Sequence, residues 1–382
     1  MKTYEIIIIG CGASGIMCAL TCKDKKVAII DSNLKPAKKV LATGNGRCNL
    51  TNVNLTSENY NKNIDKYLNL FNVEKTLNLF NLLGLEIFSD EEGRVYPISN
   101  SSKSVVDVLV NSLDKNTQLF LGQTVIDIEK IDGSFVVKTD KEVFSCKKLV
   151  VASGGNSLLN VLEKLNIKHN PFVPSLVALK SDNIKDLNGI KLSGVKVTVT
   201  NFLGKSKSEK GEVLFKDSGL SGIVIFNLSS LFSRVQNFKG KAVIDLLPNL
   251  TKEQLTEKLE KRKNLNVAVD KFFVGFFQNA IANEIFKQCK INTNINSKDL
   301  TKEQILKIAD VIKNLQFNIV GSYDNNQIYS GGVELESLTN SLMSKQIDNL
   351  YFCGEVCNVD GVCGGYNLQW AWTSGHIVGE SL

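Results

Sequence analysis

Ile6-Ile7-Ile8-Ile9-Gly10-Cys11-Gly12-Ala13-Ser14-Gly15 joins a β-branched run to a glycine triplet, and its reading decides the fold. Residues 5–9 have the pattern of a parallel strand buried on both faces, and residues 14–21 carry helical spacing behind it. Residues 27–31 read as a second buried strand, so the chain opens with a βαβ unit. The three glycines have separate duties. Gly10 makes the tight turn, Gly12 lets a pyrophosphate approach the backbone, and Gly15 lets helix pack on strand. The start of the helix adds unpaired N–H groups and a partial positive charge for the phosphates, with Ala13 and Ser14 in its first turn. Asp31 closes the second strand, where a carboxylate can accept both hydroxyls of an adenosine ribose. A bound dinucleotide is the expectation, with Gly10, Gly12, Ala13, Ser14, Gly15 and Asp31 as contacts.

A second glycine-rich stretch, Thr43-Gly44-Asn45-Gly46-Arg47-Cys48-Asn49-Leu50-Thr51-Asn52, lies in the long loop of residues 32–54. A loop of this length inside a compact fold is usually functional. Its glycines let N–H groups curl round an anion, and Arg47 is a fixed charge with several donors. Gly44, Gly46, Arg47, Cys48 and Asn49 are therefore candidate cofactor contacts, together with Lys39 earlier in the loop. Cys48 has no cysteine beside it in sequence, which leaves loop packing and redox chemistry both open.

The far end reads Cys353-Gly354-Glu355-Val356-Cys357-Asn358-Val359-Asp360-Gly361-Val362-Cys363-Gly364-Gly365-Tyr366-Asn367-Leu368-Gln369-Trp370-Ala371. A strand ending in Gly-Glu, a glycine-rich turn and a helix start make a second site for anions and carbonyls. Glu355 or Asp360 is placed to hold a polyhydroxyl chain. The N–H groups near Asn367 and Leu368 are placed to bond a flavin O2 and stabilise negative charge on a reduced ring. Asp360 equally fits a plain Asx-turn. Gly354, Gly365 and Tyr366 join these candidates, as does Gly154 after the strand read over residues 149–152. The two ends of the chain are expected to clasp one FAD.

Between the ends, residues 64–71, 73–83 and 102–113 read as helices and residues 86–88 and 94–96 as a strand pair. Residues 118–129, 134–139 and 142–144 read as a meander. From about residue 184 the character changes. Residues 195–200, 211–215, 223–227 and 241–246 look like short antiparallel strands. Residues 251–261, 268–287 and 301–313 look helical, and Thr251-x-x-Gln254 and Thr301-x-x-Gln304 offer capping boxes. Residues 350–353 and 367–380 read as the closing strand and helix. The expected fold class is α/β. A Rossmann-like FAD domain with a parallel central sheet, residues 1–183 and 329–382, is interrupted by a small antiparallel β-barrel or sandwich, residues 184–250 and 315–328, and a helical subdomain, residues 251–314.

Bulk properties narrow the function classes. A length of 382 residues suits two domains, and 43% hydrophobic with 22% charged residues is ordinary globular composition. The net charge is +6, yet only Arg47, Arg94, Arg234 and Arg262 are arginines and the lysines are scattered. Bulk charge therefore argues weakly for nucleic acid, whose footprint should be clustered. Nine cysteines without paired spacing and only two histidines leave no tetrahedral metal set, and reduced thiols suit a cytoplasmic setting. No apolar run is long enough for a membrane span.

The glycine motifs, with Gly93-Arg94-Val95-Tyr96-Pro97-Ile98-Ser99, Gly211-Glu212-Val213-Leu214-Phe215, Gly219-Leu220-Ser221-Gly222 and Ser330-Gly331-Gly332-Val333, resemble the BaiN-like or YhiN-like NAD(P)/FAD-dependent oxidoreductases, some of them labelled aminoacetone-oxidase-like. The resemblance spans essentially the whole chain. It implies the interrupted Rossmann-like architecture, the pyrophosphate at Gly12, Ser14 and Gly15, the ribose at Asp31, the middle of FAD at Gly44 to Asn49, and the ribityl and isoalloxazine at Glu355, Asp360, Asn367 and Leu368. One departure stands out. Where many relatives have Thr-His after the Gly-Glu-hydrophobic-Leu-Phe string, this chain has Lys216-Asp217.

The expected activity is FAD-dependent oxidation or reduction of a small organic substrate, an enone or an amine, in a cleft roofed by the insert. No second Gly-x-Gly-x-x-Gly follows a strand, so NAD(P)H is expected to bind transiently. The competing readings are an RNA-modifying or RNA-binding flavoprotein that uses the basic insert, and a non-catalytic redox sensor that uses Cys353, Cys357 and Cys363. Catalytic residues and oligomeric state stay open.

Overall fold

A computed structural model describes every residue except Asn183 and Asn325. The chain forms two compact units, Met1–Val173 with Ile328–Leu382, and Pro174–Gln327.

The first unit is built on a seven-stranded sheet. Ile6, Ile7, Ile8, Val27, Ala28, Ile29 and Ile30 are almost wholly buried, as strands covered on both faces demand. Lys2–Ile9 pairs in parallel with Val27–Asp31 on one side and with Val143–Val151 on the other. Thr117–Leu121 extends the parallel sheet beyond Val27–Asp31. This corrects the single strand read over residues 118–129: Val125–Ile131 is separate and forms the meander with Ser134–Thr139 and Val143–Val151. Gly122, at φ +66, lies in the break between them.

Two strands expected at residues 142–144 and 149–152 are one continuous strand, Val143–Val151. Its first half pairs with the meander, and its second half with Leu350–Phe352 near the end of the chain. Because the parallel strands share one direction, Gly10, Asp31, Ser153 and Cys353 all follow or close carboxyl ends at the same edge of the sheet. Ligands of open α/β sheets bind at that edge.

The helices Ala13–Thr21 and Tyr366–Glu380 lie in close contact, and glycine permits it. A Cβ at Gly375 would stand 2.4 Å from the Ser14 carbonyl oxygen, and one at Gly379 2.5 Å from Thr21 Cβ.

In the second unit, six strands close a barrel in the order Leu179–Ser181, Gly219–Ser221, Ser206–Lys216, Lys191–Asn201, Gly240–Asp245 and Leu315–Ser322. Residues 223–227, expected as a strand, open the helix Ile223–Ser233 instead. A short apolar run fits a buried strand and a buried helix equally, and this one is followed by Leu228, Leu231 and Phe232 at helical spacing among Asn227, Ser229 and Ser230. The helix expected over residues 268–287 is a turn at Val269–Lys271 and a helix at Asn279–Cys289, interrupted around Gly275 at φ +77. Both capping boxes form, at Thr251 and Thr301. Barrel residues such as Val197, Phe215 and Ile244 share one hydrophobic cluster with Leu255, Ile285 and Ile308 of the helices. Barrel and helices thus stand on a single core.

Candidate functional site

The glycines of the first turn are not equivalent. A Cβ on Gly10 would lie 2.3 Å from the Ala152 carbonyl oxygen, and one on Gly15 2.0 Å from the Gly10 carbonyl oxygen. Both are required by backbone packing. Gly12 differs: among the described residues a Cβ there meets nothing within 4 Å, and its φ of −90° is open to any residue. Nothing in the fold requires glycine at that position. Gly12 is also the N-cap residue of Ala13–Thr21, whose first-turn N–H groups have no partner inside the helix.

The far end of the chain meets this turn directly. Gly354 has φ +77, a Cβ on it would stand 2.3 Å from Ser14 Oγ, and Ser14 Oγ donates to the Cys353 carbonyl at 3.4 Å. Ser374 Oγ accepts from Gly354 N–H at 2.8 Å, and Trp370 Nε1 donates to the Gly354 carbonyl at 3.0 Å. The terminal helix therefore holds the turn that touches the first helix.

Asp31 fastens the other side. Its Oδ2 accepts from Cys11 N–H at 2.7 Å, and its Oδ1 accepts from Asn33 N–H at 2.7 Å and Asn33 Nδ2 at 2.9 Å. Each carboxylate oxygen has two acceptor directions, so the bonds fix the group without exhausting it. Glu355 is similarly oriented. Oε2 pairs with Lys39 Nζ at 2.6 Å, Oε1 accepts from Tyr329 N–H at 2.8 Å, and Gly154 lies alongside.

The loop of residues 43–52 docks on the terminal helix. Trp372 Nε1 donates to the Leu50 carbonyl at 3.0 Å, Thr51 Oγ1 donates to Gln369 Oε1 at 2.7 Å, and a Cβ on Gly365 would collide with the Thr51 backbone. Gly44, Asn45, Gly46 and Cys48 all have positive φ, so the loop is tightly curled. Asn49 is buried with its Oδ1 unpartnered, and Ser153 Oγ is in the same condition at the neighbouring strand end. A buried, unpaired polar atom is costly and calls for an explanation.

Other candidates are engaged differently. Arg47 is exposed and lies over the Tyr96 ring, 4.4 Å from its centroid. Asn367 turns its side chain onto Gly361, accepting from its N–H at 2.8 Å and donating to its carbonyl at 2.9 Å. The Tyr366 carbonyl accepts from Tyr60 Oη at 2.7 Å, Asp360 is buried with its backbone bonded to Asn61, and Leu368 packs half-buried against the core. Lys216 and Asp217 sit exposed at the turn between two barrel strands.

Burial pushes the Cys48 and Cys353 thiols up to about 12 and the Cys357 thiol well above its ordinary value. They are protonated at neutral pH, the opposite of a reactive thiolate. Tyr329, Ser374, Trp370 and Asn33 position the turns and were not read from the sequence. Of these, Trp370 and Ser374, four apart on one helix face, left a usable signal.

The family described as the HI0933-like protein Rossmann domain matches residues 4–381. The chain belongs to the HI0933-like family. This HI0933-like protein is 30% identical to a 3-dehydro-bile acid delta(4,6)-reductase of Clostridium scindens, over 99% of its own length and 98% of that protein's. It is 26% identical to a ribosomal RNA dihydrouridine synthase of Haemophilus influenzae, over 100% and 99%. Among solved structures, a 3-ketosteroid delta1-dehydrogenase from Sterolibacterium denitrificans superposes with a TM-score of 0.48 at 9% identity, covering 100% of both chains.

Proposed function

We propose that this HI0933-like chain binds FAD at the edge formed by its two ends and uses it to reduce a carbon–carbon double bond conjugated with a carbonyl. The chain is an oxidoreductase of the flavin-dependent type. The carrying observation for FAD is the contrast between glycines. Gly10, Gly15, Gly354 and Gly375 are filled by neighbouring atoms, whereas the space over Gly12 is open. A group that approaches the backbone there gives Gly12 its reason.

The surrounding residues fit such a group. The first-turn N–H groups after Gly12 suit a pyrophosphate, and the anchored Asp31 carboxylate suits ribose hydroxyls. The orphaned Asn49 Oδ1 and Ser153 Oγ are polar atoms whose partners an FAD can supply. Glu355, held by Lys39 and Tyr329, is fixed for a polyhydroxyl chain, and the start of Tyr366–Glu380 presents the N–H groups of Asn367 and Leu368 to developing negative charge. When bound, the flavin supplies hydride transfer. The chain's part is to hold it, orient it and exclude water.

The substrate class follows from the relatives' names. A delta(4,6)-reductase of a 3-dehydro bile acid and a synthase of dihydrouridine both saturate a double bond conjugated with a carbonyl, one in a steroid and one in a uracil ring. That shared chemistry favours enone reduction over amine oxidation. With no second dinucleotide fingerprint in the sequence, NAD(P)H is the transient electron donor. Under anaerobic conditions, NADH or NADPH should bleach the flavin absorbance and a conjugated enone should restore it. A flavin that an amine reduces and no enone reoxidises, or that nothing but dioxygen reoxidises, would refute the reading.

A further inference from the structure

Gln369 stands at the centre of a buried polar network whose protons can all be assigned. Thr51, Thr76, Gln369 and Thr373 are wholly buried. Thr76 Oγ1 donates to the Asn72 carbonyl at 2.9 Å, and Thr373 Oγ1 to the Phe71 carbonyl at 2.8 Å. A hydroxyl has one proton, so toward Gln369 both can only accept, and its Nε2 lies 2.8 Å from Thr76 Oγ1 and 3.0 Å from Thr373 Oγ1. That leaves Gln369 Oε1 to accept from Thr51 Oγ1 at 2.7 Å. Buried polar networks that are fully satisfied rigidify what they join. This one joins the glycine-rich loop, at Thr51, to the terminal helix Tyr366–Glu380 and to the start of the helix Val73–Leu82.

The pinning is concentrated just after Asn49. Leu50 N–H donates to the Val95 carbonyl at 2.8 Å, and the Leu50 carbonyl accepts from Trp372 Nε1 at 3.0 Å. Asn52 Nδ2 follows, donating to the Glu92 carbonyl at 3.2 Å and the Gly364 carbonyl at 3.3 Å. On its other side Asn49 is packed on Gly44, where a Cβ would stand 2.7 Å from the Asn49 backbone nitrogen and 3.4 Å from the Asn49 Cβ. Asn49 is thus held from both sides and only 9% exposed, yet its Oδ1 has no partner among the described residues. An acceptor fixed in this way has given up water and gained no bond in return, a cost that is offset when a ligand supplies the donor.

We propose that Gln369 and Trp372 are positioning residues: through Thr51 and the Leu50 carbonyl they hold the Asn49 carboxamide oxygen in place for the hydrogen bond it accepts from FAD. The inference rests on the FAD reading and deepens it, because it assigns a binding duty to side chains of the terminal helix that do not touch the cofactor themselves. The loop then needs no rearrangement when FAD arrives, and the affinity that Asn49 supplies depends on bonds made on the far side of the loop.

The test is a double-mutant cycle on the full-length protein, reading FAD affinity from flavin fluorescence and the melting temperature in the absence of FAD. Asn49→Ala should weaken FAD by roughly five- to tenfold, the loss of one hydrogen bond. Thr51→Val removes a single hydroxyl and should weaken FAD by a similar factor, and Thr51→Ser should restore the parent's affinity. In the Asn49→Ala background Thr51→Val should cost less than about twofold, because the atom it acts through is gone. Thr373→Val breaks the same network on the side away from the loop. It should lower the melting temperature about as much as Thr51→Val and leave FAD affinity within about twofold of the parent. Should Thr51→Val fail to fold, Trp372→Phe, which frees the Leu50 carbonyl, completes the same cycle with Asn49→Ala. Additive effects of the two substitutions on FAD binding would overturn the proposal, as would equal losses of affinity from Thr51→Val and Thr373→Val. A parent protein that binds no FAD would remove the cofactor reading and the proposal with it, whereas tight FAD binding unaltered by Asn49→Ala would remove the positioning role alone.

Discussion

Replacing Gly12 by alanine separates folding from cofactor binding. The new methyl meets no atom of the described residues within 4 Å and the backbone is already in an ordinary region, so no clash arises. Alanine restricts the unfolded chain, which stabilises by about 0.4–1 kcal/mol, and is a poorer N-cap than glycine by a comparable amount. The ligand-free variant should therefore melt within a few degrees of the parent. The same methyl lies where a pyrophosphate would contact the helix start. Losing two charge-assisted hydrogen bonds there, at about 1.5 kcal/mol or more each, weakens FAD by about 3 kcal/mol, roughly a hundredfold. FAD at a hundred times the parent's dissociation constant stabilises the parent by about 2.7 kcal/mol and should barely move the variant. Differential scanning fluorimetry with and without FAD, alongside titration of flavin fluorescence, measures both halves. An alanine variant that binds FAD as tightly as the parent would refute the assignment of this turn, and one that fails to fold would refute the claim that Gly12 has no structural duty.

Gly375→Ala should behave oppositely. Helix propensity favours alanine by about 1 kcal/mol, but the methyl would stand 2.4 Å from a backbone oxygen, and forced separation of two packed helices costs about 1–3 kcal/mol beyond that gain. A fall of about 5 °C in the melting temperature is expected even without FAD, and an unchanged one would contradict the close helix contact. A pH effect centres on His376, stacked on Phe71 at 4.1 Å, hydrogen-bonded to Thr21 and faced by Glu380 and Lys75. Burial holds its folded pKa below the ordinary 6.5, with Glu380 opposing and Lys75 reinforcing the shift. The unfolded chain thus takes the proton first, so this contribution is present above 6.5 and is lost as pH falls through the folded value. His376→Gln should show a smaller drop in melting temperature between pH 7.5 and 5.5; an identical drop would rule the residue out.

The sequence disclosed those parts of the fold whose reasons are local. Residues 27–31 match the observed strand because four apolar residues followed by Asp31 describe a buried strand ending at a polar edge. Both capping boxes were legible because each is closed by residues three apart. Residues 223–227 were misread because a run of four apolar residues before Asn227 has no period of its own, and only the tertiary setting makes it helical. Residues 142–152 looked like two strands because Lys147 and Lys148 interrupt the hydrophobic pattern, although the strand runs through them while changing partners.

The candidate site divides in the same way. The glycine turns were legible as motifs, yet the distinction between Gly12 and its neighbours was not, since it depends on Ala152 and on Gly10 itself folding back. The bonds that assemble the site join residues more than three hundred positions apart: Lys39 to Glu355, Leu50 to Trp372, Thr51 to Gln369. Such pairs leave no local pattern.

The central claim is that both ends of one polypeptide hold one flavin, and the most direct measurement is of what the purified protein carries. Protein denatured after exhaustive dialysis, or after reconstitution and gel filtration, should release a yellow compound that co-elutes with FAD at one equivalent per chain. A colourless protein that retains neither FAD nor FMN after reconstitution would contradict the account at its base.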